Sequence, residues 1–283
     1  MLRNSKILLS LIVLVALLTS KAFQMGAMAS TCGGDSTSSA VAAKTTAAPV
    51  VNRFGSGKEL ADELTKRIIE ISAKAIAEKG EFTVALSGGS LPNTIAPGLL
   101  AAKESIAWGK WRIYFADERY VAHEHADSNL KAAKDAFLSK VTGETQPTII
   151  AINADVSVED AAKEYEDKLP KAPMDLILLG MGPDGHTASL FPGHALLDEK
   201  VRKVIHIKDS PKPPPERITF TLPYINAAKN VFFVTTGASK ADVVARCAID
   251  VSKLEADPLP SARVRPTAGA LEWFIDADAA AKL

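Results

Sequence analysis

Between residues 80 and 180 the chain carries four short strand-like runs, Phe82–Leu86, Arg112–Ala116, Thr148–Ile152 and Asp175–Leu179. Each is separated from the next by a segment of helical character. Ser56 and Glu59 form a capping box ahead of Leu60, Leu64, Ile68, Ile71 and Ala75, which share one helical face. Pro92 stands where a helix can begin, Ser128 caps a helix running to about Val141, and Ser157 with Asp160 opens another that carries Tyr165 and Leu169. Further strands are expected at Lys203–Ile207, Ile218–Leu222, Val231–Thr235 and Leu271–Ile275, with a helix from Ser239 to about Val251. Strands alternating with helices imply a largely parallel sheet covered on both faces. The expected fold is α/β, a Rossmann-like three-layer α/β/α arrangement. No internal repeat or long linker interrupts residues 53–283, so they are expected to form a single domain.

In such sheets ligands bind beyond the carboxyl ends of the strands, and polar clusters stand at these ends. Ser87-Gly88-Gly89-Ser90 joins a strand to a helix: its glycines admit close backbone approach, and the helix start offers unpaired N–H groups to an anion. The bland reading is a tight turn that needs Gly for its dihedrals. The loop lacks the Lys-Ser/Thr ending of a nucleoside-triphosphate loop. Asp117-Glu118-Arg119 ends the next strand, where Arg119 offers a fork suited to phosphate and either acid could hold that fork or orient a histidine.

Gly180 to Gly185 literally spells G-x-G-x-x-G, but it follows the fourth strand rather than the first. Asp184 would also set negative charge against a pyrophosphate, so a dinucleotide is not expected. The segment offers instead His186 beside Asp184 in a glycine-rich loop. Imidazole, with an ordinary pKa of about 6.5, suits a general base near neutral pH. Arg217, after Pro213-Pro214-Pro215, and Lys240, after Gly237, add two cations at the same edge, although a stiffened loop and a helix cap would explain those segments equally well. His123 and His125 have no partners of familiar metal spacing, and no metal is expected. Ser87 and Ser189 lack a nucleophile elbow, and Cys247 falls within an expected helix.

The N-terminus has a different character. Arg3 and Lys6 precede Ile7–Leu18, an apolar run broken only by Ser10 and too short for a stable membrane anchor. Ser20-Lys21-Ala22 presents a small-x-small cleavage pattern ahead of Phe23, so residues 1–22 are read as a signal peptide. Residues 23–52 are rich in Ala, Ser and Thr with a single acid, Asp35, and read as a transit-like or flexible segment. A signal peptide followed by Phe and an acid-poor stretch resembles the bipartite leaders of algae with complex plastids. A plastid is the favoured destination, with secretion the alternative.

Charge narrows the partners. Four of the 33 basic residues but one of the 33 acidic residues precede Arg53, leaving the body three charges acidic. That is unlike a nucleic-acid binder. Cys32 and Cys247 lie on opposite sides of this boundary, so the body has no internal disulfide. Nothing in the sequence calls for an obligate protein partner.

Taken together, Ala85–Ser90, Asp117–Val121 with Ser128-Asn129, Leu179–Gly193, Arg217–Thr219, Gly237 with Lys240, and Leu259-Pro260 through Trp273 and Asp276 resemble the 6-phosphogluconolactonases. The resemblance covers residues 53–283 in order; Ser261-Ala262-Arg263 is more basic than the family pattern. It implies a fold shared with glucosamine-6-phosphate deaminases, no metal or organic cofactor, and hydrolysis of a sugar-phosphate lactone. In that reading His186 is the base and Asp184 its positioner, while Ser87, Gly88, Gly89, Ser90, Arg119, Arg217 and Lys240 hold phosphate and sugar hydroxyls. The alternatives are a deaminase–isomerase, expected to carry Asp-Glu-Tyr in place of Asp117-Glu118-Arg119, and a non-catalytic sugar-phosphate sensor.

Overall fold

A computed structural model of the chain describes residues 49–283 except Glu144 and Asp250. The expected signal peptide and all of the transit-like segment before Pro49 lie outside the described residues. The end of that segment does not: Val50–Phe54 forms strand β1, paired in parallel with the last strand. Val50–Asn52, the end of that expected segment, are thus part of the parallel sheet.

Helix α1 (Gly57–Lys79) opens as its sequence dictates. The Ser56 hydroxyl accepts from the Glu59 amide, and the Glu59 carboxylate reaches back to the Gly55 amide at 3.0 Å, one residue beyond the usual capping box. Gly80, at φ 84°, closes it in the left-handed conformation that a side chain would disfavour. Then follow β2 (Phe82–Leu86), α2 (Leu91–Ala101), β3 (Trp111–Phe115), β4 (Asp117–Arg119), α3 (Asn129–Ala136), β5 (Thr148–Ile149), α4 (Val158–Asp167) and β6 (Leu176–Leu179). The chain ends with β7 (Val204–Ile207), β8 (Arg217–Phe220), α5 (Leu222–Asn226), β9 (Asn230–Thr235), α6 (Ala241–Cys247), α7 (Pro260–Arg263) and β10 (Ala270–Asp276).

Seven strands form a parallel sheet in the order β1-β10-β9-β6-β2-β3-β5. Successive residues point to opposite faces, and both faces are apolar. Val84, Leu86, Ile113, Leu176 and Leu178 pack with α1, α2 and α3. Ala85, Tyr114, Ile177, Leu179 and Phe233 pack on the other side with α4, α5 and α6. Burial on both faces is why these strands read as continuous apolar runs rather than alternating ones.

Several expectations change. The strands expected around 203–207 and 218–222 do not join the parallel sheet; with β4 they form a separate antiparallel sheet, β4-β8-β7, layered with α4. Asp117-Glu118-Arg119 is thus a strand in itself, with Arg119 directly opposite Arg217. The helix from Ser128 ends at Ala136 and finishes as a 3₁₀ turn, Leu138–Lys140. The helix expected from Ser239 begins, after a 3₁₀ turn at Ala238–Lys240, only at Ala241 and stops at Cys247. Among the described residues no helix is long and apolar enough to cross a membrane.

The sheet order places the site. From β2 the chain moves outward through β3 to β5, then returns to the other side of β2 as β6 and continues through β9 to β10. The reversal lies between β2 and β6, the switch point where open α/β sheets leave a crevice beyond their strand ends.

Candidate active site

The loops that follow β2 and β6 flank that switch point and line a cavity of about 290 Å³, with β4, β8 and the segment after β9 completing its wall. All the residues singled out from sequence except Asp184 line it directly: Ser87, Gly88, Gly89, Ser90, Arg119, His186, Arg217 and Lys240. Asp184 is one hydrogen bond behind His186.

After β6 the chain turns back on itself through Gly182 N–H to His186 O and Gly185 N–H to Gly182 O. Gly185 adopts φ 81°. This folds Asp184 Oδ1 to 2.5 Å from His186 Nδ1. A carboxylate accepts only, so Nδ1 carries the shared proton and Nε2 is left with its lone pair. No group among the described residues is hydrogen-bonded to Nε2. Phe191 stacks on the imidazole at a centroid distance of 4.9 Å and fixes the ring plane.

The ionisation of the pair follows from its surroundings. Burial pushes the imidazole pKa below its usual value and the nearby Lys212 charge adds to this, while the Asp184 hydrogen bond and charge pull the other way. For Asp184, burial raises the pKa, but the hydrogen bond and charge of His186 and the charge of Lys212 prevail and bring it down to about 2. At neutral pH the pair is carboxylate and neutral imidazole, the state a general base requires.

The cations differ in availability. Arg119 gives one N–H to the Asp127 carbonyl at 2.7 Å, and its Nε is buried with no protein partner. Lys240 gives one N–H to the Met181 carbonyl at 2.8 Å. Burial and the Lys212 charge lower its pKa against the opposing charge of Asp184. The turn that carries Lys240 is held by Gly237, whose amide donates to Asp276. Arg217 is almost fully buried, and its guanidinium points at the carbonyls of Lys212, Pro213 and Pro214 rather than freely into the cavity.

The serine loop keeps its donors open. No side chain caps the α2 N-terminus at Ser90, and the Ser87 hydroxyl is buried without a partner. Gly88 is required for packing: a Cβ there would collide with Asn129, whose amide donates to the Asp117 carbonyl at 2.8 Å. Of the two acids beside Arg119, Glu118 turns inward and accepts from the amides of Arg119, Asn129 and Leu130. Burial raises its pKa despite those bonds. Asp117 faces the cavity and accepts from the Ser189 hydroxyl at 2.8 Å.

Ser189 is fully buried, and the Cys247 thiol is buried with its pKa pushed up to about 12, so neither is a nucleophile. His123 and His125 do not converge, His123 bonding the Ile152 carbonyl and His125 the Asp127 amide. Sequence reasoning missed Lys212, whose ammonium is 3.3 Å from Asp184 Oδ1 and 3.1 Å from His186 Nδ1. It lies just ahead of Pro213-Pro214-Pro215, in an irregular segment where only the three prolines and Arg217 stand out. Phe191 and Thr235 are further parts of the wall or its support that the strand-end patterns did not single out.

Residues 55–273 match the family of glucosamine-6-phosphate isomerases and 6-phosphogluconolactonases. The chain belongs to this family. Within it, the chain is 44% identical over 252 residues to a probable chloroplastic 6-phosphogluconolactonase 3 of Oryza sativa subsp. indica, covering 81% of this chain and 75% of the relative. It is 42% identical over 245 residues to the 6-phosphogluconolactonase of Bos taurus, covering 83% and 93%. The solved 6-phosphogluconolactonase of Trypanosoma cruzi superposes with a TM-score of 0.70 at 26% identity, covering 84% of this chain and 98% of that one. That structure and this one share the fold described above.

Proposed function

We propose that the protein hydrolyses 6-phospho-D-glucono-1,5-lactone to 6-phospho-D-gluconate, the lactone-opening step of the oxidative pentose phosphate pathway. The observation that carries this reading is the Asp184–His186 pair, with Nε2 unpartnered at the wall of a cavity that also presents Arg119 and Lys240. The relatives named as 6-phosphogluconolactonases support the choice of substrate.

His186 Nε2 takes a proton from water, and the resulting hydroxide adds to the C1 carbonyl. The oxyanion collapses with cleavage of the bond from C1 to the ring oxygen, which receives the proton back from the imidazolium. Asp184 holds the productive tautomer and stabilises the imidazolium between the two transfers. Arg119 and Lys240, with the open amides of the serine loop, hold the phosphate and the developing negative charge. Lactone opening changes no oxidation state, so the reaction needs no redox carrier.

Arg119 in the cavity wall favours this reading over a deaminase–isomerase, for which Tyr is expected at that position. The test is turnover of freshly generated lactone against glucosamine-6-phosphate. Activity on the lactone that falls by about 10²–10⁴-fold in a folded His186→Ala variant supports the reading. Release of ammonia from glucosamine-6-phosphate, or full lactone turnover without His186, overturns it. The plastid destination suggested by the leader is a further part of the proposal, and it has the support of relatives named as chloroplastic.

A further inference from the structure

We propose that Arg217 is a positioning residue: its guanidinium fastens the Lys212–Pro214 strap across the site, and the strap seats the Lys212 ammonium on the Asp184–His186 pair, where it keeps the imidazole unprotonated between turnovers. This rests on the reading of His186 as the base.

The strap needs such an anchor. Pro213 and Pro214 have no N–H, so the segment cannot join a β-ladder, and its carbonyls must find donors elsewhere. Arg217 supplies a donor to each of three. Arg217 Nε donates to Pro214 O at 3.0 Å, and Nη2 donates to Lys212 O at 2.8 Å and to Pro213 O at 2.9 Å. Nη1 lies 3.4 Å from the Ser189 hydroxyl, which is itself bonded to Asp117. Four of the five guanidinium hydrogens are thereby committed, leaving little to offer a phosphate. The guanidinium also lies over the Phe191 ring, the same ring that stacks on His186. Ser210 closes the turn by donating to Lys212 O at 2.8 Å, and Asp209 meets His194 at the base of the strap.

With its backbone fixed, Lys212 extends back over the pair. The proton of Nδ1 already lies toward Asp184, so the ammonium can donate only to the carboxylate. Paired with Asp184 at 3.3 Å, it still sets its positive charge 3.1 Å from Nδ1. This charge has something to oppose. Asp184 in the loop after β6 and Asp117 on β4 both favour the imidazolium, and Phe191 on the stacked face is neutral. Lys240, from the segment after β9, acts on Lys212 and Asp184. Burial already disfavours the imidazolium; without Lys212 it alone would oppose the two carboxylates, and the imidazole would hold its proton to higher pH. The role is distinct from binding substrate, and it explains why a buried arginine faces main-chain carbonyls at the edge of an anion site.

The test follows the His186 imidazole by NMR titration in the wild type and in Lys212→Met, Lys212→Arg, Arg217→Met and Arg217→Lys, alongside pH profiles of turnover. Lys212→Met is expected to move the imidazole titration and the acid limb of the profile to higher pH, with about a tenfold drop in turnover on that limb, as expected for one charge at this distance in water. Lys212→Arg should restore most of the shift. Arg217→Met, which touches neither ring nor carboxylate, should shift the titration in the same direction. Arg217→Lys keeps the charge but cannot fork across three carbonyls, so it tests the same point if the Met variant fails to fold. An unmoved titration in Lys212→Met overturns the proposal, and a shift with Lys212→Met but neither Arg217 variant overturns the role of Arg217. The titration is read without turnover. Full lactone activity in His186→Asn would therefore defeat the base assignment separately.

Discussion

Gly182→Ala is the smallest change that should disable the site while sparing the fold. A Cβ at Gly182 would overlap Nδ1 and Cε1 of His186 and Oδ1 of Asp184, far inside the roughly 3.5 Å of an ordinary contact. The backbone does not resist the substitution, because Gly182 is not among the residues with positive φ. The strain therefore falls on the side chains of the pair. Phe191 covers one face of the imidazole, and Lys212 covers the Nδ1 edge. To clear the methyl group, ring and carboxylate must retreat by more than about 1 Å, which breaks the 2.5 Å contact between them. Displacement on that scale costs about 10²-fold in rate even when the chemistry is retained. Loss of the base sets a ceiling of about 10⁴-fold. The expected result is a turnover lowered by about 10²–10³-fold, measured on freshly generated lactone. The melting temperature should stay within about 3 °C, since the displaced groups border the cavity and no apolar core packing is lost. Wild-type turnover in the folded variant would show that the pair does not act as a unit. A rate loss matched by unfolding would show that Gly182 serves the fold.

Three further outcomes are expected. Arg119→Ala and Lys240→Ala should each weaken calorimetric binding of 6-phosphogluconate by about 1.5–3 kcal/mol and leave binding of unphosphorylated gluconate nearly unchanged; equal losses for the two ligands would remove these residues from the phosphate site. Asp175→Asn should cost about 2–3 kcal/mol at pH 7 in urea unfolding, because its buried carboxylate meets Lys79 at 2.8 Å, Lys229 at 3.0 Å and the Thr83 amide at 2.9 Å. Burial raises the Asp175 pKa, but Lys79, Thr83 and Lys229 lower it overall, so this contribution is present above the ordinary Asp pKa and fades as pH falls through the lower folded value; a cost that stays the same from pH 7 down to pH 3 would contradict the reasoning. Residues 1–52 fused to a fluorescent protein should deliver it to the plastid of a cell with secretory-derived plastids, and Phe23→Ala should divert it; cytosolic fluorescence from the intact leader would refute the targeting reading.

The sequence by itself determined the parts of this protein that depend on neighbours a few residues away. A capping serine, a closing glycine and a 3.6-residue apolar period act within one or two turns, so α1 was legible nearly from end to end. The continuous apolar runs at β2 and β6 announced strands buried on both faces, and the glycines after them announced loops at strand ends. His186 stood out because it sits in such a loop beside Asp184. The tertiary structure decided what depends on distant chain. β1 exists as a strand because β10, some 220 residues later, offers it a ladder, and Val50–Asn52 carry no local sign of this. Asp117-Glu118-Arg119 looks like a charged loop, yet it pairs with β8 because Glu118 finds amide donors at the start of α3 and Asp117 finds Ser189. From its sequence position Arg217 is one more cation for the substrate. Only the folded chain shows its fork bound to three carbonyls of a proline-rich strap, and only that strap brings Lys212 to His186. Local patterning records conformational preference and burial; which charge meets which partner is set by crossings of the chain that no short window contains.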